Sequence, residues 1–556
     1  MRKGFVVLLV GLLVISSVLM TTAGSTKAQE PKVLYTALLP GDVKIDPSLA
    51  SDANSITMLN VLYVGLTGLH DETVAIEPGV ATEWTVSDDG LVYTFTLAQG
   101  VSWVHYDAEA GEVVQVMDEA GAPLTLKAQD FVYGITRTLN PNTGSEYSSV
   151  LAPWVVNGQE SLAGEAVELG VKALDDYTLE ITSPQPAGFL PMLYGLWMAR
   201  PQLQSVVEEF GDTWTEAANY VSYGPYALKS WEHDVEVTLI KNPFWAETMY
   251  IPQAKIDEIN FIYLEEPAQL TAYEAGELDW IATVPLADLD RMRAERSDQL
   301  VIGPGQCTYY YGFNVLKDGV SNVHLRRALS MAVDRDVIVQ ILNAGQVPAG
   351  FFTLPALAAA PHQEDYPDLA IWSDAAKAQE EFQAYLADEG ITADQVPQIT
   401  LQHNTSQAHA TLAQAIQQMW KDTLGLEVQI TTQDFAVHQE TMRFDAPQIW
   451  RLGWCFDYPD THNFLYDVFR FVGPDSNNHT NWENPEFQAL LDEAKTMTDN
   501  AARAELYAQA EHILVYEDAV MIPIYYYTSI DLTQPYVVRT YAQTGNERFE
   551  KWDLSE

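Results

Sequence analysis

The stretch Arg451-Leu-Gly-Trp-Cys-Phe-Asp-Tyr-Pro-Asp460 places charged, small and aromatic residues close together in an otherwise apolar part of the chain. If the stretch is extended, its alternation puts four side chains on one face, those of Arg451, Gly453, Cys455 and Asp457. A strand with free backbone groups and a carboxylate at its end suits an extended ligand with a cationic end. An internal pair between Arg451 and Asp457 beside a disulfide is the alternative, and the residues alone leave both interpretations open.

The N-terminus has the pattern of an export signal. Arg2 and Lys3 precede an apolar run from Phe5 to Met20, and Thr26-Lys27-Ala28 is a small-x-small cleavage site. A transmembrane anchor needs about 20 apolar residues, so cleavage is favoured over anchoring. Because no cysteine lies near the end of the signal, we expect no lipid anchor. The mature protein is expected to be periplasmic or otherwise extracytoplasmic.

Export also decides how the two cysteines of the chain, Cys307 and Cys455, are interpreted. An oxidising compartment favours a disulfide between them. Closing a loop of this length would stabilise the fold by up to about 5 kcal/mol in the chain-entropy model. Two free buried thiols are the alternative if the compartment is reducing.

Composition excludes several classes of protein. The 556 residues include 29 Lys and Arg against 77 Asp and Glu, which gives a net charge of −48. This charge repels phosphate, so nucleic-acid binding and a basic membrane-binding surface are not expected. The acidity itself is explained by solubility or by a salty habitat. A hydrophobic fraction of 47% favours a folded protein over a disordered one.

Strand-like and helical segments alternate along the chain without clean β-α-β repetition. Examples are a hairpin from Trp84 to Leu97, one helix running through Arg326 and Ile338, and a strand from Met521 to Tyr527. The length leaves room for about three or four domains or for two large lobes. The pattern therefore predicts an α/β protein of two lobes.

The sequence lacks the common local motifs of catalysis. It contains no G-x-S-x-G elbow, no H-E-x-x-H pair and no Walker A loop, and its eleven histidines are scattered. We therefore expect no enzymatic activity, no metal site and no cofactor. A hydrolase whose residues meet only in the folded chain stays an open alternative, because a triad needs no sequence spacing.

Three stretches carry a resemblance to a known family: the one at 451–460, Gln306-Cys-Thr-Tyr-Tyr-Tyr-Gly-Phe-Asn314 and Pro523-Ile-Tyr-Tyr-Tyr527. With them the chain resembles the oligopeptide-binding proteins of bacterial ABC importers, which are extracellular solute-binding proteins of family 5. Looser matches follow in order over nearly all of residues 31–540, including Gly224-Pro-Tyr226 and Asn404-Thr-Ser406.

The resemblance implies a fold. The family forms a two-lobed periplasmic-binding-protein clamshell of type II, in which an extra domain enlarges the first lobe and the lobes close on a peptide. The expected domains are a signal peptide at 1–28, a lobe I core domain at 29–66 with 200–306 and 527–556, an extra domain at 67–199, and lobe II at 307–526.

The resemblance also implies roles for the residues of the opening stretch. Asp457 would hold the α-ammonium of the peptide. Gly453 and Cys455 would offer backbone hydrogen bonds, so that the peptide binds as an added strand. Arg451 matches a carboxylate-binding arginine. Cys307 and Cys455 match the disulfide of the family.

Other positions match more distant parts of the family site. His409 matches a histidine that serves the carboxylates of longer peptides, and Tyr147 a tyrosine near the bound backbone. The loop Ser51-Asp-Ala53 occupies the place of a main-chain contact, which involves Ser51 and Ala53. We expect aromatic side chains to line the pockets, with core packing as the alternative, and take Trp454, Tyr310 and the run Tyr525 to Tyr527, with Tyr526 foremost, as candidates.

The family implies two partners, a peptide ligand and the permease subunits of an ABC transporter in the membrane. We expect a monomer that binds no nucleic acid. An oligosaccharide receptor of the same fold is the alternative function, and a secreted hydrolase is a more distant one.

Overall fold

The computed structural model describes the chain at residues 31–41, 43–71, 74–248, 250–471, 477–497, 499–541 and 547–555. The predicted signal peptide at 1–28 lies outside the described residues. From Lys32 onward the chain forms one unit by its internal contacts. Among the helices of the described ranges, none has the length and apolar character needed to cross a membrane.

The strands of the described chain are short except for two. In chain order they are β1 (Val33–Leu38), β2 (Thr67–Leu69), β3 (Ile76–Pro78), β4 (Ala81–Val86), β5 (Val92–Leu97), β6 (Val104–Asp107), β7 (Glu112–Gln115), β8 (Val171–Asp175), β9 (Thr178–Thr182), β10 (Tyr226–Glu232), β11 (Glu236–Lys241), β12 (Glu258–Tyr263), β13 (Trp280–Ile281), β14 (Leu300–Phe313), β15 (Val347–Pro348), β16 (Ile399–Asn404), β17 (Val428–Gln433), β18 (Ile449–Cys455), β19 (Met521–Thr533), β20 (Val537–Val538) and β21 (Asp553–Leu554).

The α-helices alternate with these strands. They are α1 (Ala53–Leu62), α2 (Ala128–Thr138), α3 (Ser148–Leu151), α4 (Gly158–Leu162), α5 (Leu190–Leu193), α6 (Gln204–Phe210), α7 (Glu266–Ala275), α8 (Leu289–Glu295), α9 (Val323–Met331), α10 (Arg335–Leu342), α11 (Ala375–Glu389), α12 (Gln407–Leu424), α13 (Phe435–Asp445), α14 (Thr461–Phe464), α15 (Pro485–Ala494) and α16 (Asn500–His512).

Two large hydrophobic cores define an N-terminal and a C-terminal lobe. The N-terminal lobe has a sheet of order β1-β12-β11-β10 and a smaller one of order β4-β5-β9-β8, around a core that includes Leu34 and Phe131. The C-terminal lobe has a sheet of order β13-β19-β14-β18-β16-β17, with β15 beside β19. Its core includes Leu329 and Trp420. This arrangement is the predicted two-lobed α/β fold.

Strands β14 and β19 are long enough to connect the two lobes. The first residues of β14 pair with the end of β19 near Leu532, which packs against Ala37 of β1. Further along, Tyr309 of β14 belongs to the core of the C-terminal lobe. The pairing of the two strands changes register between Pro304 and Thr308. Such an irregularity bends a strand pair, and here it falls between the two cores.

The predicted single helix through Arg326 and Ile338 is wrong, because the structure divides it into α9 and α10. Asp334 caps the second helix, since its Oδ1 accepts a hydrogen bond from the backbone N–H of Val337 at 3.1 Å. The buried guanidinium of Arg335 donates from Nε to the carbonyl oxygens of Ala349 and Pro523, at 3.0 and 2.7 Å. These bonds hold the chain in a turn between α9 and α10, where the spacing of apolar residues predicts one continuous helix. The hairpin from Trp84 to Leu97 is present as β4 and β5.

Candidate ligand-binding site

Strand β18 carries the opening stretch of the sequence analysis and lies beside β14. Their antiparallel register sets Tyr309 opposite Gly453 and Cys307 opposite Cys455. The two cysteines form the predicted disulfide across the pair. A Cβ added at Gly453 would lie 3.5 Å from Nη2 of Arg451, so both residues face the same side of the sheet. Position 453 therefore leaves the backbone accessible beside the arginine.

The second edge of β18 is free along most of its length. The strand pairs with β14 from Ile449 to Cys455, but with β16 only at Ile449 and Trp450. In the described parts of the chain no other strand pairs with β18. The carbonyl oxygen of Arg451 accepts a hydrogen bond from Nε2 of the buried His438 at 2.9 Å and is not available to a ligand. The segment after Arg451 therefore presents a strand edge to which an extended chain can add.

The carboxylate of Asp457, just beyond this edge, is held by neutral donors from both lobes. Its Oδ1 accepts a hydrogen bond from the hydroxyl of Tyr147 at 3.0 Å, and its Oδ2 accepts one from Nδ2 of Asn463 at 3.1 Å. No cationic side chain of the described ranges forms an ion pair with it. Burial raises the pKa of Asp457 to about 6, against the lowering effect of these two hydrogen bonds.

Asn463, in α14, fixes the position of Asp457. Its Oδ1 accepts hydrogen bonds from the backbone N–H of Asp457 at 3.0 Å and from Nε1 of Trp454 at 3.2 Å. Its Nδ2 also donates to Oδ2 of Asp467 at 3.0 Å. Burial raises the pKa of Asp467 to about 7. Trp454, predicted as a pocket aromatic, thus shares its hydrogen-bond partner with the carboxylate.

The internal Arg451–Asp457 pair that the sequence left open is not formed. Arg451 is buried, donates from Nη1 to Oδ1 of Asn404 at 3.0 Å, and donates from Nη2 to the hydroxyl of Tyr527. Its guanidinium lies over the ring of Tyr309, 4.6 Å from the centroid. These partners are neutral or aromatic, so the charge of Arg451 is not balanced by a carboxylate of the described chain.

His409 lies close to the arginine at the start of α12. Its Nδ1 is 3.4 Å from the hydroxyl of Tyr309. Burial and the nearby positive charge of Arg451 lower the pKa of His409 to about 3. The imidazole is therefore neutral at pH 7 and can donate or accept a hydrogen bond, but it supplies no positive charge to a ligand.

Two of the predicted aromatic residues lie in the core of the C-terminal lobe and do not line the site. Tyr310 is fully buried, with its ring against Phe352 and Trp450. Tyr526 is buried as well, and its hydroxyl donates to the carbonyl oxygen of Phe351 at 3.1 Å. Side chains alternate along a strand, so these positions face away from Arg451 and Gly453.

The neighbours of these two residues in sequence, Tyr309, Tyr525 and Tyr527, lie on the side of the sheet that carries Arg451. Tyr309 stacks on Tyr525 with ring centroids 4.8 Å apart, and Tyr527 lies 5.1 Å from Tyr525. The signal was present in the sequence, because the alternation used for residues 451–457 applies equally to both tyrosine runs. Asn463 gave no such signal, since only the fold brings it to Asp457.

Asp457 lines a cavity whose other walls belong to the N-terminal lobe. The cavity has a volume of about 130 Å³, and Asn60, Trp197 and Asp457 are among the residues that line it. We call it the Asp457 cavity. The ring of Tyr147 packs against Trp197, with centroids 4.8 Å apart. No group of His, Cys, Asp and Glu in the described ranges is arranged to hold a metal ion.

Ser51 precedes α1, and Ala53 is the first residue of that helix. Neither residue lines the Asp457 cavity. Ser51 is half-buried and Ala53 is exposed. Ala53 lines a second cavity of about 440 Å³, together with Gly305 and Gln306. Helix α1 contributes to both cavities, since Asn60 belongs to the first. The structure therefore does not bring Ser51 and Ala53 into the Asp457 cavity.

The geometry agrees with a comparison to known families. Residues 75–474 match the sequence model of the bacterial extracellular solute-binding proteins, family 5, middle. The chain belongs to this family. Within this family 5 protein, the match includes the open edge of β18, Asp457 and the cysteine pair.

Curated relatives and a solved structure extend the match over almost the whole protein. The periplasmic oligopeptide-binding protein OppA of Salmonella typhimurium is 34% identical over 467 residues, which cover 83% of this chain and 81% of the relative. The oligopeptide-binding protein OppA of Bacillus subtilis is 32% identical over 498 residues, with 87% and 85% covered. The crystal structure of Haemophilus influenzae OppA in complex with RPPGFSPFR has a TM-score of 0.77 and 26% identity, and covers 95% of this chain and 100% of that one.

Proposed function

We propose that this family 5 protein captures oligopeptides between its two lobes. One observation supports this most directly: the carboxylate of Asp457, on the C-terminal lobe, lines a cavity of the N-terminal lobe and has only neutral hydrogen-bond partners. A desolvated carboxylate is stabilised by a cation, and the α-ammonium of a peptide supplies one. The relatives named above are oligopeptide-binding proteins, which supports the same conclusion.

The remaining contacts would come from the peptide backbone. The free edge of β18 at Gly453 and Cys455 offers hydrogen bonds that do not depend on side chains. Arg451 would bind a carboxylate of the ligand, because its own polar partners are uncharged. The tyrosines Tyr309, Tyr525 and Tyr527 would form the wall beside it. A site of this kind holds peptides of varied sequence.

We infer that the protein acts outside the cytoplasm as a monomer, after export by a signal peptide at 1–28, without lipid attachment and without enzymatic turnover. A hinge movement of the lobes would enclose the peptide, with β14 and β19 bending near Pro304. The lobe I core at 29–66, 200–306 and 527–556, the extra domain at 67–199 and lobe II at 307–526 are our proposed domains. The permease of an ABC transporter is the proposed partner in the membrane.

Titration calorimetry with Ala-Ala-Ala and its N-acetylated form tests the role of the ammonium. Acetylation removes the positive charge while keeping the backbone, so we expect at least a 100-fold loss of affinity. Native mass spectrometry of the purified protein should show bound peptides. Equal affinity for both forms, or a co-purified sugar, would contradict peptide capture through Asp457.

The affinity for Ala-Ala-Ala should follow a bell-shaped pH profile. Below the pKa of about 6 the carboxyl of Asp457 takes up a proton and no longer attracts the ammonium. Above about pH 8 the ammonium itself loses its proton. Calorimetry from pH 4.5 to 9 should give the tightest binding near pH 7. An unchanged dissociation constant between pH 5 and 7 would show that Asp457 does not bind the ammonium.

A further inference from the structure

Arg200 is a buried cation without a counterion. Its side chain lines the Asp457 cavity and the residue is 6% exposed. Nη2 donates to Oδ1 of Asn60 at 2.6 Å, but Nε and Nη1 have no hydrogen-bond partner. No carboxylate of the described chain forms an ion pair with it. Burial lowers the pKa of Arg200 to about 10, so it is charged at pH 7.

Other buried arginines of the protein have more partners within the fold, although Nε of Arg451 and Nε of Arg503 also lack a hydrogen bond. Arg335 donates to carbonyl oxygens, including those of Ala349 and Pro523. Arg326 likewise binds the carbonyl oxygens of Val320 and Asp518. Arg503 forms a two-bond pair with Asp460. Free N–H groups on a buried guanidinium are costly. Arg200 has the fewest partners of these arginines, since two of its three nitrogens lack a hydrogen bond. This shortfall favours a group that is supplied from outside the chain.

The backbone at Arg200 is held in place. A Cβ added at Gly134 would lie 2.1 Å from the carbonyl oxygen of Arg200, so α2 packs against this residue with no room to move closer. Pro201 restricts the backbone further. Electrostatic interactions with Tyr63, Tyr220 and Tyr223 raise the pKa of Arg200, against the larger lowering by burial. The guanidinium is thus positioned before any ligand arrives.

The charged residues and the volume of the Asp457 cavity limit which ligand groups it can bind. Asp457 and Arg200 line the same cavity, one from each lobe, and Asp71, Arg548 and Glu550 line it as well. Arg548 pairs with Asp71 at 3.5 Å and with Glu550 at 2.6 Å, which leaves Arg200 as the cation of the lining without an ion pair in the described chain. If Asp457 holds the α-ammonium, the side chain on the adjoining α-carbon can enter the cavity that Arg200 also lines. The cavity of about 130 Å³ is several times the roughly 10–15 Å³ of cavity space that one water needs, so a short side chain can enter it. A carboxylate is the group that pairs with guanidinium in two parallel bonds.

We propose that Arg200 forms a subsite for an acidic first residue, so that peptides beginning with Glu or Asp bind preferentially. This inference rests on the proposed function, because Asp457 must bind the peptide ammonium. An acidic first residue brings a cation to Asp457 and an anion to Arg200. A neutral first residue leaves the guanidinium without a partner.

Calorimetry at pH 7 with Glu-Ala-Ala and Gln-Ala-Ala tests the subsite, since the two peptides differ in charge but hardly in size. The natural protein should bind Glu-Ala-Ala at least tenfold more tightly. In Arg200→Met the ratio of the two affinities should fall to about one. Arg293→Met removes an arginine outside the cavity lining, whose side chain is 32% exposed, and should keep the ratio. Ala-Ala-Glu and Ala-Ala-Gln should show no dependence on Arg200.

Equal binding of Glu-Ala-Ala and Gln-Ala-Ala by the natural protein would overturn the subsite, and so would a preference that survives in Arg200→Met. Binding of Ala-Ala-Ala distinguishes a failure of the acidic subsite from a failure of peptide capture. If it binds while the acidic preference is absent, the subsite fails and peptide capture stands. If no tripeptide binds, the proposed function fails and the subsite with it. Should Arg200→Met not fold, Arg200→Gln replaces it in the same comparison, with the same expected loss of the preference.

Discussion

Replacement of Asp457 by asparagine is expected to weaken the binding of Ala-Ala-Ala by roughly 100-fold to 4,000-fold. Removing one partner of a desolvated charge pair costs about 3–5 kcal/mol, and each 1.4 kcal/mol is tenfold in affinity. The variant should fold, because asparagine has nearly the same shape and burial already disfavours the charged carboxylate. Calorimetry at pH 7 measures the loss, and thermal unfolding checks the fold.

Two comparisons separate a local charge effect from a general one. Asp445→Asn neutralises a carboxylate that is 80% exposed on the same lobe, and it should leave the affinity within about twofold, since exposed ion pairs contribute little. Asp457→Asn should also bind Ala-Ala-Ala and its N-acetylated form almost equally. If the variant still prefers the free amine, another group holds the ammonium.

Arg503→Met is expected to lower the free energy of unfolding by about 3–5 kcal/mol. Arg503 and Asp460 are each 2% exposed, and Nη1 of the arginine donates to Oδ2 of the carboxylate at 2.9 Å. Without the arginine, Asp460 is left as a buried charge. Asp460 also caps α14 by accepting from the N–H of His462 at 2.9 Å, and α14 carries Asn463, which positions Asp457. Urea unfolding gives the free energy.

The matched control for this change is Arg293→Met on α8, where the side chain is 32% exposed, and it should cost less than about 1 kcal/mol. Combining Arg503→Met with Asp460→Asn removes the unpaired charge but keeps an N-cap oxygen, so part of the stability should return. A loss below about 1 kcal/mol for Arg503→Met alone would mean that Asp460 finds other partners or water.

Much of the candidate site could be predicted from short stretches of sequence. The alternation from Arg451 to Asp457 anticipated that Arg451 and Gly453 share a face, and the paired cysteines anticipated the disulfide. The same alternation would have selected Tyr309 in place of Tyr310, had it been applied to β14 as well. The error at α9 and α10 has a different origin, because the buried contacts of Arg335 outweigh a continuous apolar period.

The local pattern of residues thus determined the α/β class, the cystine and an extended segment ending in a carboxylate, since alternation and turn chemistry act over a few residues. Only the tertiary structure decided that Asp457 meets Tyr147 from the other lobe, that Arg451 does not pair with it, and that Arg200 faces the same cavity. Whether a buried charge has a counterion depends on which distant segments of the chain pack around it. The spacing of residues that are close in sequence does not record contacts between segments so far apart.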